Sequence, residues 1–273
     1  MKVFDLVKQN SCELISWYTN LGGDDLTNKF IDIVKNEATI SVNRRLNTII
    51  GILISGQIKN IFELIEEDIR VLEQSEKYRD SLSQEDMEKA KLKSFSQKRK
   101  TFESFFTDLS YAGYGALNVS NTGIDKYGDF CIVLKKKGLM SKGIFFVKED
   151  SLKYFDNTLN FNLNTFKSDI SNFESVHLLA LRKHLNSIKC TNEDKWADLV
   201  CNGNDYIEAI VTKKILKKHF QCIRVKKLHY QAYYDYIFNS YDPSATEDVK
   251  YLAGDFRNFI NLCKNNKLKV EVI

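Results

Sequence analysis

The sequence predicts an α+β protein in which a helical N-terminal region precedes a mixed region of strands and helices. Through the first hundred residues, apolar side chains recur at spacings of three and four, which is typical of amphipathic helices. From about residue 111 onwards, short runs rich in branched and aromatic residues appear, which is typical of strands. The chain has 273 residues with one proline and 12 glycines, and this composition argues against long irregular linkers.

Five segments of the N-terminal region are predicted to be helical. The third is the most apolar and is expected to lie in the core, whereas the fourth is amphipathic with an acidic outer face. The fifth begins at Ser83 with Asp86 three residues later, a pattern that resembles a helix cap. The predicted helices span residues 3–18, 24–36, 42–55, 60–74 and 83–109.

The second region alternates between strand and helix patterns. Its strand predictions rest on apolar, branched and aromatic runs, and its helix predictions rest on a return to helical spacing. The boundary near residue 110 is soft, so the helical lobe 1–110 and the α+β region 111–273 are either two domains or parts of one. Strands are predicted at 129–135, 143–148, 206–212, 220–226 and 267–273, and helices at 166–188, 230–241 and 246–266.

The formal net charge of +4 is too small to indicate a nucleic-acid partner by itself. Positive charge is nevertheless concentrated in residues 213–227, where four lysines fall within two turns of a predicted short helix. This basic patch is either a solvated face or a binding surface for nucleic acid, an acidic protein, an anionic lipid or the pyrophosphate of a dinucleotide.

The six cysteines and four histidines predict neither a disulfide framework nor a metal site. No two cysteines have the spacing of a zinc-binding pair or of a dithiol redox motif. His177 and His184 lie two helical turns apart, without a cluster of cysteines or carboxylates to complete a site. No apolar segment is typical of a signal peptide or a membrane span, so we expect synthesis in a cytoplasm.

Glu208 is unusual because it lies in the middle of an apolar strand, DYIEAIV. Alternation directs Ile207, Ala209 and Val211 to one face, which is uniformly apolar and is predicted to form the core face. Glu208 then shares the opposite face with Tyr206. It is either a half-solvated carboxylate paired with a lysine or a carboxylate held at the rim of a cleft.

Several segments together resemble a bacterial family of unknown function, and that family in turn resembles the ADP-ribosyltransferases. The resemblance runs from about residue 49 to 225, and its most specific part is Tyr-Gly-Ala-Leu-Asn followed by a strand that ends in Val-Leu-Lys. The segments are ILISGQIKNIFELI, KRKTFESFF, YGALNVSNTGIDKYGDFCIVLKK, SKGIFFVKEDS and YIEAIVTKKI.

The resemblance implies a split β-sandwich that binds NAD in a cleft and transfers ADP-ribose to a protein. Glu208 takes the place of the catalytic glutamate, which stabilises the positive charge that develops on the ribose. Arg99 takes the place of the early cation and Ser151 that of the middle hydroxyl. Further NAD contacts come from Tyr114, Gly115 and Asn118 in the first cleft strand and from Phe145, an aromatic side chain able to stack on nicotinamide.

The resemblance also implies a biological setting, a bacterial effector or toxin that is delivered into a host cell, with ubiquitin as one candidate acceptor. Many protein-modifying members carry Gln or Glu two residues before the catalytic glutamate, where this chain has Tyr206. Two alternatives remain open at this level. One is a binding module on the same fold that lacks catalysis, and the other is a nucleic-acid-binding protein that uses the basic patch.

Overall fold

A computed structural model describes residues 1–60, 63, 97–109, 111–139, 143–203 and 205–273. The predicted helix 60–74 and the first part of the predicted helix 83–109 therefore lie outside the described residues, apart from residues 60 and 63. Within the described ranges the protein is a mixed α/β structure built on one large sheet. No helix of these ranges has the length and apolar character needed to cross a membrane.

The large sheet has eight strands in the order β10-β9-β4-β1-β3-β7-β5-β6. Neighbouring strands are antiparallel except β10 and β9, which are parallel. A separate pair, β2 and β8, is antiparallel. The split β-sandwich implied by the resemblance stays a prediction. The strands are β1 Ala38–Arg44, β2 Gln57–Ile58, β3 Gly113–Val119, β4 Phe130–Leu134, β5 Ile144–Val147, β6 Ile170–Ser171, β7 Glu208–Val211, β8 Ile215–Leu216, β9 Phe220–Val225 and β10 Lys269–Val272.

The helices cover both faces of the sheet, and several begin or end at residues that the sequence marks. Asp24 caps α2 by accepting a hydrogen bond from the backbone N–H of Thr27 at 2.8 Å. Gly22 and Gly56 end α1 and α3 in the left-handed conformation. The helices are α1 Val3–Leu21, α2 Asp25–Glu37, α3 Leu46–Ser55, α4 97–104, α5 Leu163–Ser168, α6 Val176–Ile188, α7 Trp196–Val200, α8 Lys227–Asn239 and α9 Glu247–Asn265, with a single further turn at Lys136–Leu139.

Strand β1 corrects the prediction that residues 1–110 are entirely helical. The segment ATISVNR alternates between the main core and the opposite face, and β1 lies in the centre of the sheet between β3 and β4. The predicted helix 42–55 is correspondingly shorter, because its first residues belong to β1. The sheet therefore contains strands from both predicted regions.

Two apolar clusters pack on opposite faces of the sheet. The main core lies against α2, α3, α6 and α9 and includes Ile207, Ala209 and Val211, as the alternation of β7 predicts. The second cluster lies on the other face, where Phe102 of α4 and Phe145 of β5 are fully buried. Residues on both faces of β7 are thus covered, so Glu208 is enclosed rather than half-solvated.

Two other predicted elements differ from the structure. The predicted helix 166–188 is divided into α5 and α6 by the short edge strand β6. The predicted basic helix between β7 and β9 is instead β8 followed by one 3₁₀ turn, Lys217–His219. The lysines of the basic patch therefore do not share a helical face.

Candidate functional site

A pocket of about 410 Å³ opens beside the central strands β1, β3 and β7. Its volume lies within the range of about 300–1,000 Å³ that is typical of small-molecule sites. The pocket combines aromatic walls with one carboxylate and several cations. Its lining includes the side chains of Arg44, Arg99, Tyr114, Tyr127, Tyr206 and Glu208.

Glu208 is the first residue of β7 and only 2% of its surface is exposed. Its Oε1 atom accepts a hydrogen bond from Nη2 of Arg99 at 2.9 Å. Its Oε2 atom accepts a hydrogen bond from the backbone N–H of Ser151 at 2.8 Å. The carboxylate is therefore held in one orientation by a cation and a backbone donor, at the edge of the pocket.

Arg99 reaches Glu208 from α4, on the face that carries the second apolar cluster. Its Cζ atom lies 3.7 Å from the centroid of the Tyr114 ring, close enough for a cation–π interaction. Its Nη1 atom donates to Oγ of Ser151, and its Nη2 atom lies 3.4 Å from Oδ1 of Asp150. One guanidinium thus joins two carboxylates, a hydroxyl and an aromatic face, all contributed by distant parts of the chain.

The ion pair between Arg99 and Glu208 is buried, and burial acts on both pKa values. Burial lowers the pKa of Arg99, but Glu208, Tyr114 and Asp150 outweigh it, so the pKa lies above the ordinary value. Burial raises the pKa of Glu208, and Arg99 opposes that shift without cancelling it. Arg99 therefore favours the ionised form of a carboxylate whose pKa is raised by burial.

Tyr114 is fixed beneath the guanidinium by a hydrogen bond of its own. Its hydroxyl donates to Oε1 of Glu103 at 2.9 Å. Burial raises the pKa of Tyr114 well above its ordinary value and also raises the pKa of Glu103. The neutral phenol therefore provides one wall of the pocket, and its ring packs against the guanidinium of Arg99.

A chain of hydrogen bonds leads from Asp150 to the rim of the pocket. The hydroxyl of Tyr206 donates to Oδ2 of Asp150 at 2.8 Å. The hydroxyls of Tyr127 and Tyr206 lie 3.2 Å apart. Because the proton of Tyr206 is already donated to Asp150, Tyr127 is the donor in the second bond. Tyr127 is 44% exposed, so this chain ends in solvent at the pocket rim.

Arg44, at the end of β1, provides a cation that faces the pocket. Its Nη1 atom donates to the backbone carbonyl of Asn43 at 2.7 Å, and burial lowers its pKa. Within the described ranges it forms no ion pair with a carboxylate. A partly buried cation without an acidic partner is costly, and an anionic ligand would offset that cost.

The predicted site residues separate into two groups. Arg99, Tyr114, Gly115 and Glu208 line the pocket, whereas Ser151 lies directly behind it, where its N–H and hydroxyl contact Glu208 and Arg99. The resemblance implied that Arg99 contacts NAD. In the structure its guanidinium is bonded to the carboxylate of Glu208, so Arg99 also positions that carboxylate.

Two predicted contacts do not fit this geometry. Phe145 is fully buried in the second apolar cluster, edge-on to Phe4 at a centroid distance of 5.9 Å, and it does not line the pocket. Asn118 is also fully buried, and its side chain bonds to the backbone N–H and carbonyl of Asn121. Both residues lie on strands, β3 and β5, but neighbouring elements cover their side chains.

The basic patch is partly neutralised by its surroundings. Lys214 forms an ion pair with Glu63 at 2.9 Å, and Lys217 donates to the side-chain carbonyl of Asn266. Arg224 pairs with Glu271 at 3.0 Å, and Lys226 pairs with Asp125. These contacts and the absence of a shared helical face weaken the case for a nucleic-acid interface here.

Sequence reasoning missed the participation of Arg44 and Asp150 in the site. Arg44 ends a strand in which polar and apolar residues alternate, ATISVNR, so the local sequence does not single it out as it does Glu208. Asp150 precedes Ser151 at the end of the segment SKGIFFVKEDS, yet only the fold shows that its carboxylate faces Arg99 and Tyr206.

No model of a known protein family matches the chain, and a comparison with curated proteins finds no match either.

Proposed function

We propose that the chain is an NAD-dependent ADP-ribosyltransferase that modifies a protein acceptor, and that Glu208 is its catalytic carboxylate. The observation that carries the proposal is the convergence of Glu208, Arg99 and Tyr114 on one aromatic pocket, with Ser151 directly behind them. The resemblance assigned these four residues to one NAD site from separate segments. Their contact supports that assignment.

The pocket has the chemical groups that an NAD-cleaving site needs. Cleavage breaks the bond between the nicotinamide nitrogen and ribose C1′, and the electron pair leaves with nicotinamide. Positive charge then develops on the ribose, and the oriented carboxylate of Glu208 stabilises it. Arg44 is the candidate cation for the pyrophosphate, because a guanidinium matches paired phosphate oxygens.

The aromatic walls give the flat rings of NAD a surface on which to stack. Tyr114, Tyr127 and Tyr206 all line the pocket. Its volume of about 410 Å³ suits the nicotinamide-ribose part better than the whole dinucleotide, so the remainder would extend out through the opening. A protein acceptor would then approach at the exposed rim. Ubiquitin remains one candidate acceptor, and a bacterial effector or toxin delivered to a host remains the proposed setting.

The proposal is tested by release of nicotinamide and by labelling of protein with biotin-labelled NAD in the presence of cell lysate. We expect the wild type to release nicotinamide and to label at least one lysate protein. Glu208→Gln keeps the shape of the side chain but removes its charge, and both activities should fall by at least about 100-fold.

Glu149→Gln is the matched control, because Glu149 lies near the site but outside the pocket lining. This variant should retain both activities, and thermal unfolding would verify that both variants are folded. If the folded wild type neither releases nicotinamide nor binds NAD by calorimetry, the proposal is wrong.

A non-catalytic binding module on the same fold is the second candidate. The observation in its favour is that both oxygens of Glu208 already accept hydrogen bonds from protein donors. Binding of NAD without release of nicotinamide would support this alternative over the enzyme.

A further inference from the structure

The proposed cleavage of NAD uses the rings of Tyr127 and Tyr206 as pocket walls, but it does not use the hydrogen bonds that join their hydroxyls to Asp150. The members of this hydrogen-bonded chain come from three separate connecting segments, and the two bonds measure 3.2 and 2.8 Å. The inner end is a partly buried carboxylate with 18% side-chain exposure, and the other end is a hydroxyl at the pocket rim. The chain therefore connects the place where an acceptor would enter with a partly buried proton acceptor.

Transfer to an acceptor releases a proton, and Glu208 is poorly arranged to take it. A hydroxyl, amine or amide nucleophile loses one proton when it bonds to ribose C1′. Each oxygen of Glu208 already accepts a hydrogen bond, one from Arg99 and one from the backbone of Ser151. Protonation of either oxygen would disturb one of these bonds. By contrast, Oδ2 of Asp150 accepts its hydrogen bond from a hydroxyl that can pass a proton on.

We propose that Tyr127, Tyr206 and Asp150 form a relay that carries the proton of the acceptor away from the site during ADP-ribosyl transfer. This inference rests on the proposed function. Oδ2 of Asp150 takes the proton of Tyr206, the phenolic oxygen of Tyr206 takes the proton of Tyr127, and the phenolic oxygen of Tyr127 takes the proton of the acceptor. One proton enters and one is held at Asp150, while the bond between C1′ and nicotinamide breaks and the bond between C1′ and the acceptor forms.

Lys126 provides a second observation that fits a relay. Its Nζ atom lies 5.1 Å from the centroid of the Tyr127 ring and 5.2 Å from that of the Tyr206 ring. The two rings meet edge to face with centroids 6.5 Å apart. A cation beside both rings stabilises the negative charge that passes through the phenolic oxygens as the protons move.

The test compares two products of NAD cleavage, protein-bound ADP-ribose and free ADP-ribose, with biotin-labelled NAD and total lysate protein as the acceptor. Transfer to an acceptor uses the relay, whereas capture by water has bulk solvent to take its proton. The ratio of transfer to hydrolysis should fall by about 10-fold or more in Tyr127→Phe, Tyr206→Phe and Asp150→Asn, because positioned proton transfer contributes about 100-fold or more to reaction rates.

A purely structural role would lower both products together and leave the ratio unchanged. Tyr233→Phe is the matched control, because its hydroxyl donates to Oδ2 of Asp129 at 3.1 Å outside this pocket. Tyr127→Phe removes one hydroxyl from an exposed side chain and guards against misfolding as the cause of an effect.

The outcomes are distinct. If folded Tyr127→Phe and Tyr206→Phe have the same ratio of transfer to hydrolysis as the wild type, the relay is overturned and the proposed transferase is unaffected. Failure of the wild type to cleave NAD would overturn the function itself, and the relay with it. A lower ratio in all three variants, but not in Tyr233→Phe, would support the relay.

Discussion

At the scale of single residues, the ion pair of Arg99 and Glu208 dominates the site. Both side chains are at least 96% buried, judged from exposures of 4% and 2%. Burying two charges is expensive, and their attraction offsets the expense only while both partners are present. We therefore expect the pair to add little net stability. Its main effect is to fix the orientation of the Glu208 carboxylate.

Removal of one partner should cost far more stability than removal of both. Arg99→Leu leaves the carboxylate of Glu208 buried and unpaired, and we expect it to lower the free energy of unfolding by about 3–5 kcal/mol. The double variant with Glu208→Leu should recover most of that loss. Urea unfolding of the three proteins measures the difference.

The exposed pair of Lys153 and Glu149 provides the control for this prediction. Its atoms lie 2.8 Å apart, but the lysine side chain is 58% exposed. Lys153→Ala should change the stability by less than about 1 kcal/mol. Equal losses in Arg99→Leu and in the double variant would show that the buried charge is not the cause.

At the scale of elements, the parallel pair of β9 and β10 is held at its edge by Glu271. Its carboxylate accepts a hydrogen bond from Nε of Arg224 at 3.0 Å and lies 3.0 Å from Nζ of Lys269. Arg224 first and Lys269 second lower the pKa of Glu271 to about 2. The last strand of the chain is thus joined to the sheet by a charge contact as well as by the backbone ladder.

This shift predicts how the stability depends on pH. A carboxyl whose pKa is lower in the folded chain contributes stability that is fully present above its unfolded pKa, near 4.5. That contribution is lost as the pH falls from about 5 towards 2. Glu271→Gln should therefore be less stable than the wild type at pH 7, and the difference should shrink over this window.

Chemical unfolding at several pH values measures the effect, with exposed Glu174→Gln as the control. The difference in stability between Glu174→Gln and the wild type should not shrink in this way as the pH falls. Glu174 forms no ion pair within the described ranges. A constant difference between Glu271→Gln and the wild type from pH 7 to pH 3 would contradict the prediction.

At the scale of the whole molecule, β1 decides how the two predicted regions are related. It pairs with β3 through Ala38–Ser41 and with β4 through Ile40–Arg44, so both of its edges are used. Ile40 and Val42 are almost fully buried in the main core. Removal of this strand would expose two inner edges and part of the core together.

The fragment 111–273 should therefore fail to fold by itself. We expect it to lack a cooperative thermal transition, whereas the full chain should unfold in one transition seen equally by circular dichroism and by tryptophan fluorescence. Both tryptophans report on the main core, since Trp196 of α7 is 1% exposed and Trp17 of α1 packs against the cluster. A cooperative transition in the fragment would show that its core is self-sufficient.

Local pattern by itself determined five strands of the large sheet, β4, β5, β7, β9 and β10, together with most of the described helices and the two faces of β7. The central strand β3 was expected only from the resemblance. Ile207, Ala209 and Val211 enter the core as alternation requires, because the period of a strand depends only on backbone geometry. The same pattern identified Glu208 as a charge in an apolar strand. It did not identify β1, because its seven residues follow a helix directly and are followed by another after one residue.

Only the tertiary structure decided which polar groups meet. Arg99 and Glu208 are 109 residues apart, and their contact depends on α4 packing over the face of β7. Packing in the second cluster buried Phe145 away from the pocket. Pairing of β5 with β7 brought Asp150 close to Tyr206, and sheet pairing also placed Arg44 at the edge of the pocket. Local periodicity sets the face on which a side chain lies, whereas burial, pKa and hydrogen-bond partners depend on the elements that pack against that face, which are distant in the sequence.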